Sequence, residues 1–259
     1  MLSTIKIILL GIIQGMTEFL PVSSSGHLVL GQHILGMDEP GVSLEIVLHL
    51  GTLLAVVAFY HDRISELFIP LFKSPKRYHK SQEFKILLAL FFGTIPAALA
   101  GYFLDSYFEE FFSSPRYTAM FLIITGLILI LPKIVNLKVG KKKINIFRGI
   151  IIGIAQALAI FPGISRSGTT ITMARFLKIQ PKKAAEFSFL LSIPAILGAT
   201  VLKVGDAGTI PLDYLFGGIA SAIIGYIAIL IVIRILISEK FHYFGYYVIL
   251  LGIIGLIFL

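Results

Sequence analysis

Residues 14–27 read QGMTEFLPVSSSGH, and around this stretch the rest of the chain arranges itself. An apolar helical run carries Glu18 and breaks at Pro21. Three serines follow, then Gly26 and His27, and the chain turns apolar again. A carboxylate, hydroxyls, a flexible turn and an imidazole thus sit together inside a segment otherwise fit for lipid. An ionised side chain at bilayer depth costs about 2.5–3.5 kcal/mol on insertion scales. The cluster is therefore expected to face a polar cavity and to serve a function.

The composition sets the surroundings. Of the 259 residues 57% are hydrophobic and only 14% charged, and the mean hydropathy is +0.93. Soluble domains carry about 25% charged residues. Apolar runs of helical length recur along the chain, and alternating barrel segments are absent. The pattern predicts an all-α polytopic membrane protein. The net charge of +8 does not point to nucleic acid, because the cations cluster between apolar runs as membrane orientation requires. Without cysteine, neither a disulfide nor a thiolate site exists. Lys6 before an apolar run resembles a signal peptide. No small-x-small cleavage site follows, so the N-terminus is read as mature.

Six full spans are expected at about 42–60, 84–104, 116–132, 184–203, 212–234 and 243–259. Regions 2–36 and 147–178 are each apolar, then polar and glycine-rich, then apolar again. Each reads as a pair of short re-entrant helices, since irregular backbone at that depth needs protein or water to satisfy it. The basic loops 61–83 and 133–148, with Lys178, Lys182, Lys183, Arg234 and Lys240, fall inside. Loop 105–115, with Asp105, Glu109 and Glu110, falls outside with Asp206 and Asp213. Every loop agrees if both termini are outside and neither broken region crosses.

A repeat runs through this layout. Shifted by 142 residues, Gly11, Gln14, Phe19, Ser23, Ser25 and Gly26 match Gly153, Gln156, Phe161, Ser165, Ser167 and Gly168; with a one-residue slip Glu45 matches Glu186. The chain is thus one integral membrane domain of two repeats, about 2–132 and 147–259. Three spans separate the copies, so the second enters from the opposite face. Such an inverted-topology repeat places its site near the midplane, where the broken elements meet.

Gln14 and Glu18 share one helix face. Ser23, Ser24, Ser25 and the N–H groups of a helix starting near Ser24 suit an anion, with His27 one turn beyond Ser24. A plain glycine-serine turn is the competing reading. In PGISRSGTT, residues 162–170, Arg166 lies between Ser165 and Ser167, with Thr170 following. A guanidinium fork with serine hydroxyls makes an oxyanion cradle; the alternative is an arginine snorkelling to the surface, against its apolar flanks. Glu45 and Glu186 open the next spans and suit either a divalent cation or a helix start. His49 is read as a satisfied buried histidine, and His33, His61, His79 and His242 as ordinary. Gly11 and Gly15 form GxxxG, a close helix contact. No Walker loop, HExxH or zinc spacing is present.

At TEFLPVSSSGH and PGISRSGTT, and at EFSFLL over 186–191, the sequence resembles the bacterial undecaprenyl-diphosphate phosphatases, the bacitracin-resistance family of integral membrane proteins. The similarity covers essentially the whole chain. Gln14 departs from it, standing where many members carry glutamate, and leaves Glu18 as the acid. The resemblance implies hydrolysis of a C55 isoprenyl diphosphate to undecaprenyl phosphate and inorganic phosphate, recycling the cell-wall carrier lipid and conferring bacitracin resistance. It also implies a divalent cation, Mg2+ or Ca2+, a bacterial inner-membrane location, a site open to the outer side, and a homodimer as a frequent assembly.

Phosphoryl transfer is mostly positioning and charge stabilisation. Arg166, Ser165, Ser167 and Thr170 suit the cradle, with a metal held by Glu18. Ser24 leads as nucleophile with His27 taking its proton, while direct attack by His27 or by water stays open. A transporter or flippase of prenyl phosphate lipids is the competing function, because broken helices in inverted repeats serve transport.

Overall fold

The computed structural model describes residues 2–37 and 41–258; the side chain of Leu2, the exposure of Gly41 and the side chains over 104–113 lie outside the description. Among the described residues every regular element is a helix and there are no strands. The helices are α1 (Leu2–Phe19), α2 (Ser24–Ile34), α3 (Gly41–Phe59), α4 (His61–Lys73), α5 (Pro75–Tyr78) and α6 (Gln82–Ser113). They continue as α7 (Pro115–Ile134), α8 (Ile146–Leu158), α9 (Arg166–Phe176), α10 (Pro181–Lys203), α11 (Tyr214–Ile237) and α12 (Tyr243–Phe258). Six of these, α3, α6, α7, α10, α11 and α12 taken with the turn from Lys240, are long and apolar enough to cross a membrane. They match the six expected spans, with Leu259 beyond the described residues.

Two expectations need correction. Residues 105–113 continue α6 rather than forming a loop, and the side chains of Asp105, Glu109 and Glu110 lie outside the described ones. Loop 61–83 contains α4, where Ile64, Leu67, Phe68 and Leu71 recur at helical spacing and Leu67 is buried. Asp62, Arg63 and Glu66 between the apolar positions had masked that period.

Both broken regions return to the end they enter from. Thr4 Oγ1 donates to Asp213 at one end of the bundle, and Gly36 comes back beside Lys6 there. At the other end Gln82 Nε2 donates to the Ile144 carbonyl, just before α8, and Lys142 N donates to the Lys178 carbonyl, just after α9. Arg63 reaches Glu186 at this same end. The basic loops therefore share one face, as the charge pattern requires. The first hairpin is less symmetric than expected, because α1 is not short: its 18 residues span about 27 Å.

The halves clasp each other through glycine. Gly11 of α1 lies against the Gly217 backbone of α11, and Gly153 of α8 lies against the Gly93 backbone of α6. These two contacts fall at matching positions of the repeat. A Cβ at Gly153 would sit 2.0 Å from the Gly93 carbonyl oxygen, and one at Gly11 2.2 Å from that of Gly217. Gly15 meets Ser221 and Gly225, so the GxxxG pair does make a close helix contact. Because backbone, not a flexible side chain, blocks the space, Gly153→Ala is expected to destabilise the protein by about 1–3 kcal/mol or more, read as earlier thermal unfolding in detergent.

The largest buried cluster lies beneath the hairpin tips. Phe19 is fully buried and meets Phe189 of α10 edge-on, ring centroids 5.4 Å apart. This contact anchors the end of α1 and, with it, the neighbouring Glu18.

Candidate active site

The tips of the two hairpins touch. The Gly163 N–H donates to Ser25 Oγ at 3.4 Å, and Ser167 Oγ donates to the Leu20 carbonyl at 3.2 Å. Local backbone explains the shapes. Ser23 has φ 68° and Gly163 φ 96°; the first is a costly conformation for a side-chain-bearing residue and marks a site the surrounding fold holds in place. Ser165 caps α9, its Oγ accepting from the Gly168 N–H at 3.1 Å. α2 begins at Ser24, as expected. Two helix N-termini, each with partial positive charge, thus meet between the tips.

Glu18 is the hub. Its Oε2 accepts from Ser24 Oγ at 2.7 Å and from Gln14 Nε2 at 3.0 Å, and its Oε1 accepts from Arg166 Nη2 at 2.5 Å. Arg166 Nη1 is buried without an acceptor, and so is Gln14 Oε1 without a donor. A cavity of about 270 Å³ opens over Glu18, Ser23, Ser24, Ser25, Ser165 and Arg166. Ile46, Ile160, Ile164 and Ile196 give it apolar walls, and Ala195, Ala199 and Lys203 form one stripe of α10 along it. Arg166 does not snorkel away; its side chain is turned into the hub.

The model of the Bacitracin resistance protein BacA family matches residues 7–254. This chain belongs to that family. It is 41% identical to an undecaprenyl-diphosphatase of Alkaliphilus metalliredigens over 99% of both chains. It is 37% identical to one of Salinibacter ruber, covering 96% of this chain and 97% of the relative. Undecaprenyl-diphosphatase 4 of Bacillus thuringiensis is 42% identical, over 95% and 93%.

Within this family member, some expected groups fall elsewhere. His27 does not reach Ser24. Its Nδ1–H donates to the Ser23 carbonyl at 2.9 Å, and Nε2 lies 2.8 Å from the Tyr247 hydroxyl of α12. A carbonyl only accepts, so the neutral ring has its one lone pair on Nε2, turned to Tyr247. Thr170 also leaves the cavity: its hydroxyl bonds the Arg166 carbonyl at 2.7 Å and Ser188 Oγ at 2.6 Å, tying α9 to α10. Ser167 lies behind the wall, 3.2 Å from Ser165 Oγ.

Sequence reasoning passed over two other residues. His49 is not a core histidine; it lines the cavity with Nε2 3.8 Å from Glu18 Oε2, its Nδ1 held by the Glu45 carbonyl. Its place one turn after Glu45 was the available signal. Thr125 of α7 supports the second turn, donating to the Gly163 carbonyl and accepting from Ser165 N–H at 3.0 Å. Nothing in its apolar span sets it apart.

A divalent cation takes several oxygen ligands. Glu18 and Glu45 line one cavity, but Glu186 lies at the basic end, bound by Arg63 at 2.9 Å and Lys183 at 2.8 Å. Both Glu18 oxygens already accept from protein donors. No group of three His, Asp or Glu side chains among the described residues is placed to hold an ion. The carboxylates Glu18, Glu45 and Glu186 therefore do not fit one shared, protein-held cation. Glu186→Gln is expected to keep turnover within about threefold while weakening the fold by about 1–3 kcal/mol, measured as phosphate release beside thermal unfolding.

Proposed function

We propose that this chain hydrolyses undecaprenyl diphosphate to undecaprenyl phosphate and inorganic phosphate, in line with relatives that are named undecaprenyl-diphosphatases. The observation that carries the reading is the buried, acceptor-less Arg166 Nη1 beside the Ser24–Glu18 hydrogen bond. A donor held ready for an oxyanion, a hydroxyl, and a carboxylate able to take its proton meet on one cavity floor.

In this reading the terminal phosphate lies between the two helix N-termini, its oxygens on Arg166 Nη1, Ser25 and Ser165. Ser24 Oγ attacks the terminal phosphorus and its proton passes to Glu18 Oε2. The bond from phosphorus to the bridging oxygen breaks, and undecaprenyl phosphate leaves with that electron pair. Water then cleaves the phosphoserine, releasing inorganic phosphate and restoring the hydroxyl. The isoleucine-lined wall takes the prenyl tail towards lipid.

The reciprocal glycine contacts support two inverted repeats, and the basic loops on one face support a cytoplasmic assignment for that face. Both termini and the cavity mouth then lie on the outer side of a bacterial inner membrane. Purified protein in detergent, with no gradient, is expected to release phosphate from a prenyl diphosphate. Binding without release would turn the reading towards transport.

A further inference from the structure

A second cavity, of about 340 Å³, lies at the basic end, away from the hairpin tips. Lys133 from the end of α7, Lys138 from the loop after it, Arg175 from α9, and Glu239 and His242 from the turn between α11 and α12 line it. Three fixed cations face one carboxylate. We infer that this cavity binds the phosphodiester headgroup of an anionic phospholipid.

Arg175 carries the argument. It is half-buried, and its side chain makes no hydrogen bond or ion pair with any described residue. Glu239 acts on it only through space. A guanidinium presents five donors in a fork that matches a carboxylate or phosphate, and here no protein acceptor takes them. Cations also gather at helix C-termini to offset the helix dipole, and that explains an exposed lysine such as Lys133. It does not explain Arg175. The carbonyls of its helix end are taken by the chain's own turn, with Lys178 N–H on the Arg175 carbonyl at 2.9 Å and Ile179 N–H on that of Ala174 at 3.1 Å.

Depth supplies the second observation. Tyr243 and Tyr246 open α12 beside the cavity, both exposed, and the His242 ring lies 4.5 Å from Tyr243 by centroid. Exposed tyrosines at the end of an apolar helix mark the level of the lipid headgroups. A basic pocket between helices at that level has the chemistry of a lipid-phosphate site. The walls are also fixed: Asn136 and Glu239 stand at φ 47° and 59° in capping turns, and Lys142 is bonded to Lys178 across the loop. Because α9 carries Arg175 at its foot and Arg166 at its head, a headgroup held here would also fix the helix that positions Arg166.

The test uses full-length, delipidated protein in neutral detergent, with bound lipid counted by native mass spectrometry. Short-chain phosphatidylglycerol is expected to bind saturably at one site, and Arg175→Gln to weaken that binding about tenfold or more, the scale of a lost charge-assisted contact. Arg175→Lys should lose less. Where Arg175→Gln does not fold, the exposed pair Lys133→Gln and Lys138→Gln decides, with a loss of about threefold or more expected. Phosphatidylcholine binding as well as phosphatidylglycerol, or equal binding in the variants, would overturn the inference. Equal competition by inorganic phosphate would do so too, because the site would then take a free anion rather than a lipid.

Discussion

Arg166→Lys protein is expected to fold normally and to release phosphate at least about a hundredfold more slowly than the parent, the scale of one lost charge-assisted donor in a dry site. The reason lies in how the guanidinium divides its work. Nη2 holds Glu18 Oε1, and the buried Nη1 has nothing to bond. A lysine keeps the positive charge beside Glu18 but offers a single point from which to serve both the carboxylate and a phosphate oxygen. Its ammonium is therefore expected to stay on Glu18 and leave the substrate unheld.

Arg166→Ala separates the two duties further. Removing one member of a buried ion pair leaves the other charge uncompensated, at about 3–5 kcal/mol. That variant should lose both turnover and stability. Adding Glu18→Gln to it should recover stability and no activity. Measuring thermal unfolding and phosphate release on all four proteins distinguishes a structural ion pair from a catalytic one. Comparable turnover in Arg166→Lys and parent would remove Arg166 from the chemistry.

The sequence made the layers of the fold readable because lipid imposes a length and a charge rule on every span. α3, α7, α10, α11 and α12 begin and end within about three residues of their expected bounds, the usual uncertainty of helix ends. The meeting of the two hairpin tips followed from two polar breaks that could not both face lipid; that Glu18 would pair with Arg166 there did not. What could not be read was rotation about each helix. Ser24 and His27 are one turn apart on one helix face, so both were expected at the cavity. They are parted by Tyr247, 220 residues away, which holds His27 aside. Thr170 and Glu186 moved for the same reason, drawn off by Ser188 and by Arg63 on other helices. Periodicity places a residue on a face; only tertiary packing says what that face meets.

Ser24 and His27 therefore give the sharpest contrast. Ser24→Ala is expected to lower kcat by about a thousandfold or more, since removing a nucleophile abolishes its route and leaves only what binding and charge stabilisation provide. His27→Gln should cost no more than about tenfold, the worth of a hydrogen bond to Tyr247 and of its neighbour's alignment. The asymmetry follows from donors and acceptors alone. Ser24 Oγ gives its proton to Glu18 at 2.7 Å, so a base is already in contact. His27 spends Nδ1 on the Ser23 carbonyl and Nε2 on Tyr247 and has no lone pair left for the serine. Tyr247→Phe offers a check within the same network. It frees Nε2 without touching Ser24, and if His27 is only a strut the rate should change little. Were Ser24→Ala to retain turnover while His27→Gln lost it, the attacking group would be an imidazole or a water it activates. The ring would then have to swing away from Tyr247 during the reaction.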